Sequence, residues 1–132
     1  MNEIISPTES IIRFEEGLIG FYEFKSFQLI ESEEIDPFCW LQSTDRPDIG
    51  FLVIDPSIVV RGYKDVIPRR EWDCLGLKTP AAGFVLILCM VGPGSSQTTG
   101  NFQAPLLVNF KRKAAKQIIL TETGLTSRHP LL

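Results

Sequence analysis

Short apolar runs alternate with turn-forming residues along the chain: Ile11–Phe14, Phe27–Ile30, Phe38–Leu41, Ile49–Ile54, Ile58–Val60, Phe84–Val91, Phe102–Phe110 and Ile118–Leu120. Most span four to eight residues and are rich in Val, Ile and Phe, which predicts strands rather than helices. Glycine and proline punctuate them at Gly17, Gly20, Pro37, Pro47, Pro56, Pro68, Pro80, Gly92, Pro93 and Gly94. Many short strands between such breaks predict a mostly β fold, a small antiparallel β-barrel-like or sandwich domain. In Phe38–Ser43 the two-residue period places Phe38, Trp40 and Gln42 on one face and Cys39, Leu41 and Ser43 on the other. The run Ile49–Ile54 is apolar on both faces, as expected of a strand covered on two sides or curled into a small barrel. Phe38, Trp40, Leu41, Phe51 and Val53 are therefore expected in the core.

One short helix is expected in the segment RREWDCLG, residues 69–76. Pro68 suits a first-turn position, where its missing N–H costs nothing, and Gly76 suits the end. Trp72 and Leu75, three apart, would bury one face. Lys111–Lys116, KRKAAK, is expected as a turn or helical connection between the last two strands.

Length and composition narrow the class. A chain of 132 residues fits a single domain over 1–132, long enough to bury roughly two-thirds of its unfolded surface. Apolar and charged contents of 44% and 22% are ordinary for a globular protein. No linker, repeat or low-complexity block divides the chain. The longest apolar run, FVLILCMV, falls well short of the roughly 20 residues of a membrane-spanning helix. The N-terminal MNEIISPTES does not read as a signal peptide. Cys39, Cys74 and Cys89 are odd in number and widely spaced, which suits buried thiols in a reducing cytoplasm. A cytoplasmic protein without a membrane role is expected.

Net charge is −3, unevenly distributed. Residues 1–60 carry 12 acids and 3 bases, and residues 61–132 carry 4 acids and 10 bases. Such asymmetry either marks a surface for a charged partner or cancels within one fold.

Candidate catalytic chemistry is sparse. Asp45, Asp48 and Asp55 sit at turns, where Asp bonds nearby backbone N–H groups. His129 is the single histidine, so any site needing two is excluded. Cys39 and Cys89 lie inside strand-like runs, whereas reactive thiols favour exposed electropositive surroundings. Residues 91–100, VGPGSSQTTG, lack the lysine of a phosphate-binding loop and read as a mobile loop. No zinc-ligand or G-x-S-x-G pattern occurs. A non-enzyme without cofactor or metal is expected. KRKAAK offers weak phosphate-binding potential, opposed by the acidic half. A small-ligand-binding β-barrel and an OB-like single-strand nucleic-acid binder remain as alternative classes.

An ordered set of segments adds a resemblance. Pro37-Phe38-Cys39-Trp40-Leu41-Gln42-Ser43 is followed by Arg46-Pro47-Asp48 and by Phe51 to Pro56. Upstream lies Phe14-Glu15-Glu16-Gly17-Leu18-Ile19-Gly20-Phe21. Downstream come Thr99-Gly100-Asn101-Phe102-Gln103-Ala104-Pro105-Leu106-Leu107-Val108-Asn109, Lys116-Gln117-Ile118-Ile119-Leu120 and Arg128-His129-Pro130-Leu131. In order and spacing, over almost the whole length, this resembles the bacterial flagellar assembly factor FliW family. Glu15 and Ile19 replace the family's usual prolines, and Gly100 replaces an alanine.

The resemblance implies a small, mostly antiparallel β-barrel-like fold without catalytic activity; a chain monomeric alone and without direct nucleic-acid binding is expected beside it. It also implies two protein partners, flagellin and the RNA-binding translational regulator CsrA. On release from flagellin, such a protein binds CsrA and relieves repression of flagellin synthesis. For CsrA the candidate residues are Glu31, Glu33, Glu34 and Asp36, an acidic stretch suited to a basic RNA-binding surface. For flagellin they are Asn101, Phe102, Gln103 and Pro105, read as an exposed strand edge with Phe102 as apolar anchor. Arg128 and His129 match the family's terminal segment without an assigned role.

Overall fold

The computed structural model describes residues 11–92, 98–121 and 124–131. In chain order its strands are β1 (Ile11–Phe14), β2 (Ser26–Glu31), β3 (Cys39–Ser43), β4 (Gly50–Ile54), β5 (Phe84–Met90), β6 (Thr99–Gly100), β7 (Leu106–Asn109), β8 (Ala114–Gln117) and β9 (His129–Pro130). A single α-helix among the described residues, α1, covers Arg69–Cys74. The strands run in the order β4-β3-β2-β1-β8-β7-β5, and pairing of β4 with β5 closes them into a seven-stranded barrel. Closure leaves these seven no long free edge to pair with another chain. The short β6 and β9 extend from the end of β5. Within the ring β1 and β8 are parallel, Arg13 facing Ala114, and the other pairings are antiparallel.

Alternation along the strands divides the apolar residues between two cores. Ile12, Phe14, Phe27, Leu29, Leu41, Val53, Leu86, Leu106 and Val108 form one buried cluster. Ile54, Val85, Ile87 and Leu107, one residue out of phase, join the other with Tyr63, Trp72 and Leu75. Successive side chains of a strand point to opposite faces. The first cluster therefore fills the barrel, and the second lies between its outer face and the α1 region. This is why β5 and β7 read as continuous apolar runs: both of their faces are covered.

The helix ends as expected, with Gly76 at φ +79° and Trp72 and Leu75 buried. Pro68 caps it from outside rather than occupying the first turn. Buried Asn109 then ties the helix end to the barrel. Its Nδ2 donates to the Leu75 carbonyl at 2.8 Å, and its Oδ1 accepts from the Arg112 amide at 3.2 Å.

Several expectations are corrected. Ile58–Val60 is not a strand, because the Asp55 carboxylate accepts from the Ser57 amide at 2.9 Å and starts a 3-10 turn over Pro56–Ile58. Phe102–Phe110 is strand only over β7, preceded by a turn that buries Phe102, Ala104 and Pro105, and the last expected strand lies earlier, at β8. KRKAAK is thus a turn at Lys111–Lys113 and strand from Ala114. Trp40 faces outward at 36% exposure, its indole lying over Gly50 and donating to Gln42 Oε1 at 2.9 Å. Cys74 is exposed, and Cys39 and Cys89 are partly buried.

Lys116 of β8 reaches Glu71 of α1, Nζ to Oε1 at 2.8 Å. The Glu71 carboxylate holds the Lys116 ammonium above its ordinary pKa. A raised folded-state pKa stabilises fully below the unfolded value, about 10.4, and the gain is lost as pH rises through the folded value. Water still reaches both groups, so Glu71→Gln is expected to cost about 0.5 kcal/mol at neutral pH and progressively less at strongly alkaline pH. Urea unfolding of both proteins at neutral and alkaline pH measures this. An equal difference at both would exclude the ion pair as its source.

Candidate functional site

The PFCWLQS segment, residues 37–43, proves architectural. Gln42 Nε2 donates to the carbonyls of Ile49 at 2.9 Å and Arg46 at 3.1 Å, while Ser43 Oγ accepts from the amides of Asp45 and Arg46, both at 3.1 Å. Two polar side chains thereby hold the loop that joins β3 to β4. Arg46 closes on Asp48 in a two-point ion pair, at 3.0 and 2.7 Å, and this contact draws the Asp48 carboxyl below its usual range. A carboxylate already satisfied by a bidentate arginine is a loop clasp, not an acid–base group.

Cys39 and Cys89 offer no nucleophile. Burial pushes the Cys89 thiol up to about 12. Burial, then the Glu31 and Asp36 carboxylates, push the Cys39 thiol up as well. His129 sets its ring edge-on against Phe102, 4.8 Å between centroids, and Cys89 Sγ donates to the Ile87 carbonyl. No group of three or more potential metal ligands occurs among the described residues, and no described helix is long and apolar enough to cross a membrane. Residues 93–97 of the glycine-rich stretch lie outside the described residues.

The basic turn has Lys78, Lys111 and Arg112 around a depression of about 490 Å³, with Gly76, Leu77, Ala82 and Asn109 as its other walls. Without an aromatic ring it lacks the stacking platform on which single-stranded nucleic acid depends.

Structure brings the four acidic candidates together. Glu31, Glu33 and Asp36 border a depression of about 240 Å³ beside Phe38 and Cys39. The chain turns here because the amides of Ile35 and Asp36 donate to the Ser32 carbonyl, and that of Glu34 to Ser32 Oγ. Glu33, Glu34 and Asp36 are exposed, and Glu31 is partly buried. None of the four is ion-paired among the described residues. After burial, the Glu31 and Asp36 carboxylates add to the rise of the Cys39 thiol.

The second candidate group differs from its expectation. Phe102 is fully buried, its ring edge-on to Tyr63 at 5.3 Å, and its carbonyl accepts the Tyr63 hydroxyl. Pro105 is also buried. The supposed free edge is already used: the Pro105 carbonyl accepts from the Ile118 amide at 3.1 Å, and the Gln103 carbonyl from Leu120 at 2.7 Å. Asn101 Oδ1 accepts from the amides of Gln103 and Ala104, both at 3.1 Å, which closes the turn and drives Phe102 inward. Gln103 remains exposed and Asn101 partly so.

Next to Asn101 lies a feature that sequence reading missed. The β4–β5 pairing ends at Leu52–Cys89, while Cys89 and Met90 pair with β6 along the opposite edge of β5. Where the two strands part, Phe21, Phe51, Leu88, Met90, Asn101 and Arg128 surround an open groove of about 330 Å³. Phe21 packs edge-on against Phe51 at 5.1 Å, and Met90 is 61% exposed. Two of its residues stood out in the sequence, Asn101 as a flagellin candidate and Arg128 without an assigned role.

Comparison with known proteins follows this geometry. The family model described as FliW protein matches residues 1–131. A flagellar assembly factor FliW from Leptospira interrogans (serogroup Icterohaemorrhagiae serovar Lai, strain 56601) is 39% identical over 123 residues, 92% of this chain and 82% of that protein. One from Geotalea uraniireducens (strain Rf4) is 34% identical over 120 residues, 91% of this chain and 73% of its own. A crystal structure of the flagellar assembly factor FliW superposes with a TM-score of 0.85 at 32% identity, covering 98% of this chain and 90% of that one.

Proposed function

The chain belongs to the FliW family of flagellar assembly factors, and on that premise we propose that it binds flagellin and, once released, binds and antagonises the RNA-binding regulator CsrA. It acts without catalysis and in the cytoplasm, as a single small protein for which two partners compete. Excess flagellin occupies it; release from flagellin frees it to relieve repression of flagellin synthesis.

The observation that supports the CsrA arm is the unneutralised acidic turn. Glu31, Glu33, Glu34 and Asp36 stand without cationic partners among the described residues. A protein that binds RNA presents a basic surface, and opposed charge accelerates encounter and rejects acidic partners. The flagellin arm is supported by the family and by the exposed parts of the Asn101–Pro105 turn, Asn101 and Gln103, with Phe102 and Pro105 shaping the turn from beneath.

Titration calorimetry against the host's flagellin and CsrA, at two salt concentrations, tests the proposal. One-to-one binding to each, with each displacing the other, is expected. The double variant Glu33→Lys, Glu34→Lys is expected to bind CsrA about tenfold more weakly at low salt, with a flatter salt dependence. Unchanged affinity at low salt would remove the acidic turn from the interface.

A further inference from the structure

From the open seam between β4 and β5 we infer a dock for an apolar peptide segment that carries a carboxylate beside its anchoring side chains. Assigning that segment to flagellin rests on the function proposed above.

The strand pairing defines the seam. In a closed barrel every strand is paired along both edges, yet the β4–β5 ladder stops at Leu52–Cys89, and past it β5 is paired only along its opposite edge, Met90 with Thr99 of β6. Phe51 and Gly50 keep their β3 partners, Leu41 and Gln42, while their other edge faces the gap. Side chains that a continuous barrel would bury are left partly open: Phe51, Leu88 and the exposed Met90, with Phe21 closing the far side. A concave site of about 330 Å³ is at the small end of ligand sites, which suits the few apolar side chains of a peptide anchor.

Charge selects the occupant. Two lining groups are ionisable, Cys89 and Arg128. The Cys89 thiol is neutral, since burial holds it far above physiological pH. The Arg128 guanidinium has no hydrogen bond or ion pair among the described residues. An apolar groove with one free guanidinium at its rim fits apolar side chains next to an aspartate, a glutamate or a chain-terminal carboxylate, which arginine holds in bidentate geometry. A second copy of this chain fits poorly. A two-fold interface would set the same patch against itself and bring two Arg128 side chains together with no carboxylate in the lining.

The test uses the full chain with host flagellin, read by titration calorimetry, with thermal melting as a folding control and light scattering for oligomeric state. Met90→Glu and Arg128→Glu alter exposed side chains and are expected to keep the melting temperature. Each is expected to weaken flagellin binding about 30-fold, the effect of removing an interface anchor. Arg128→Lys is expected to retain more of the affinity than Arg128→Glu, and Glu33→Lys, Glu34→Lys to bind flagellin as the wild type does. If the wild type binds flagellin and both groove variants bind it equally well, the groove is overturned while the function stands. If the wild type does not bind flagellin, the function fails and the groove's assignment fails with it. Dimerisation of the wild type that Met90→Glu abolishes would overturn the peptide dock in favour of self-association.

Discussion

Replacing Phe102 with alanine is expected to cost about 3–5 kcal/mol of stability, the usual range for emptying a buried phenylalanine site. For a chain of this size that lowers the melting midpoint by roughly 10–20 °C. The ring is fully buried between Tyr63 and His129 and belongs to the cluster that joins α1 to the barrel. Its backbone is equally committed, since the amide donates to the Thr126 carbonyl at 3.1 Å and the carbonyl accepts the Tyr63 hydroxyl. Burial raises the pKa of that phenol, so Tyr63 remains a donor throughout the physiological range. Tyr63→Phe, which leaves a buried carbonyl without its partner, is expected to cost about 1–3 kcal/mol by comparison. Urea unfolding and flagellin titration of Phe102→Ala separate two roles. Lost stability is the expected result; an unchanged midpoint with lost flagellin binding would make Phe102 a partner contact instead.

Gly17→Ala is expected to destabilise by about 2–4 kcal/mol, through two additive causes. Gly17 has φ +71°, a left-handed conformation that alanine adopts at a cost of about 1 kcal/mol. A Cβ there would also stand 2.5 Å from the Tyr22 carbonyl oxygen and 2.7 Å from its Cα, backbone atoms that cannot swing aside. Gly20 provides the control: its φ is +87°, but no atom lies within 4 Å of its would-be Cβ. Gly20→Ala should therefore lose only the conformational part, about 1 kcal/mol. Equal losses measured by urea unfolding would show that the close approach at Gly17 relaxes freely. The same turn seats Leu18 in the barrel core and places Phe21 at the groove, with the Phe21 amide donating to the Leu18 carbonyl at 2.7 Å. Gly17→Ala is accordingly also expected to weaken flagellin binding.

Particular residues show how far the chain could be read unaided. Ile11–Phe14, Phe27–Ile30 and Phe84–Val91 became β1, β2 and β5 with boundaries shifted by at most one residue, because a four- to eight-residue apolar run between turn formers is a local signal. Phe102–Phe110 misled for an equally local reason. It opens on β-prone Phe102, yet the Asn101 side chain captures the amides of Gln103 and Ala104 and makes a turn of the residues ahead of β7. A side chain that competes with the ladder for backbone donors is hard to weigh from composition. Trp40 shows the other limit: its face of β3 was assigned correctly, but what covers that face was not.

The acidic turn was legible as a charge cluster, and Ser32 explains locally why the chain bends there. The groove was not legible. Phe21, Leu88 and Arg128 are separated by 67 and 40 residues, and nothing in their immediate neighbours announces that they meet.

The sequence by itself determined the strand-rich class, the short helix ending at Gly76, the scarcity of catalytic groups, and an ordered set of segments sufficient to indicate the family. Each of these is carried by spacing or by residues close in the chain. Tertiary structure alone decided that the sheet closes, that Phe102 turns inward while Trp40 turns out, and that β5 abandons β4 early enough to leave a seam. A two-residue period records which side chains share a face, but whether that face meets a core, a partner or water depends on strands brought together from across the whole chain.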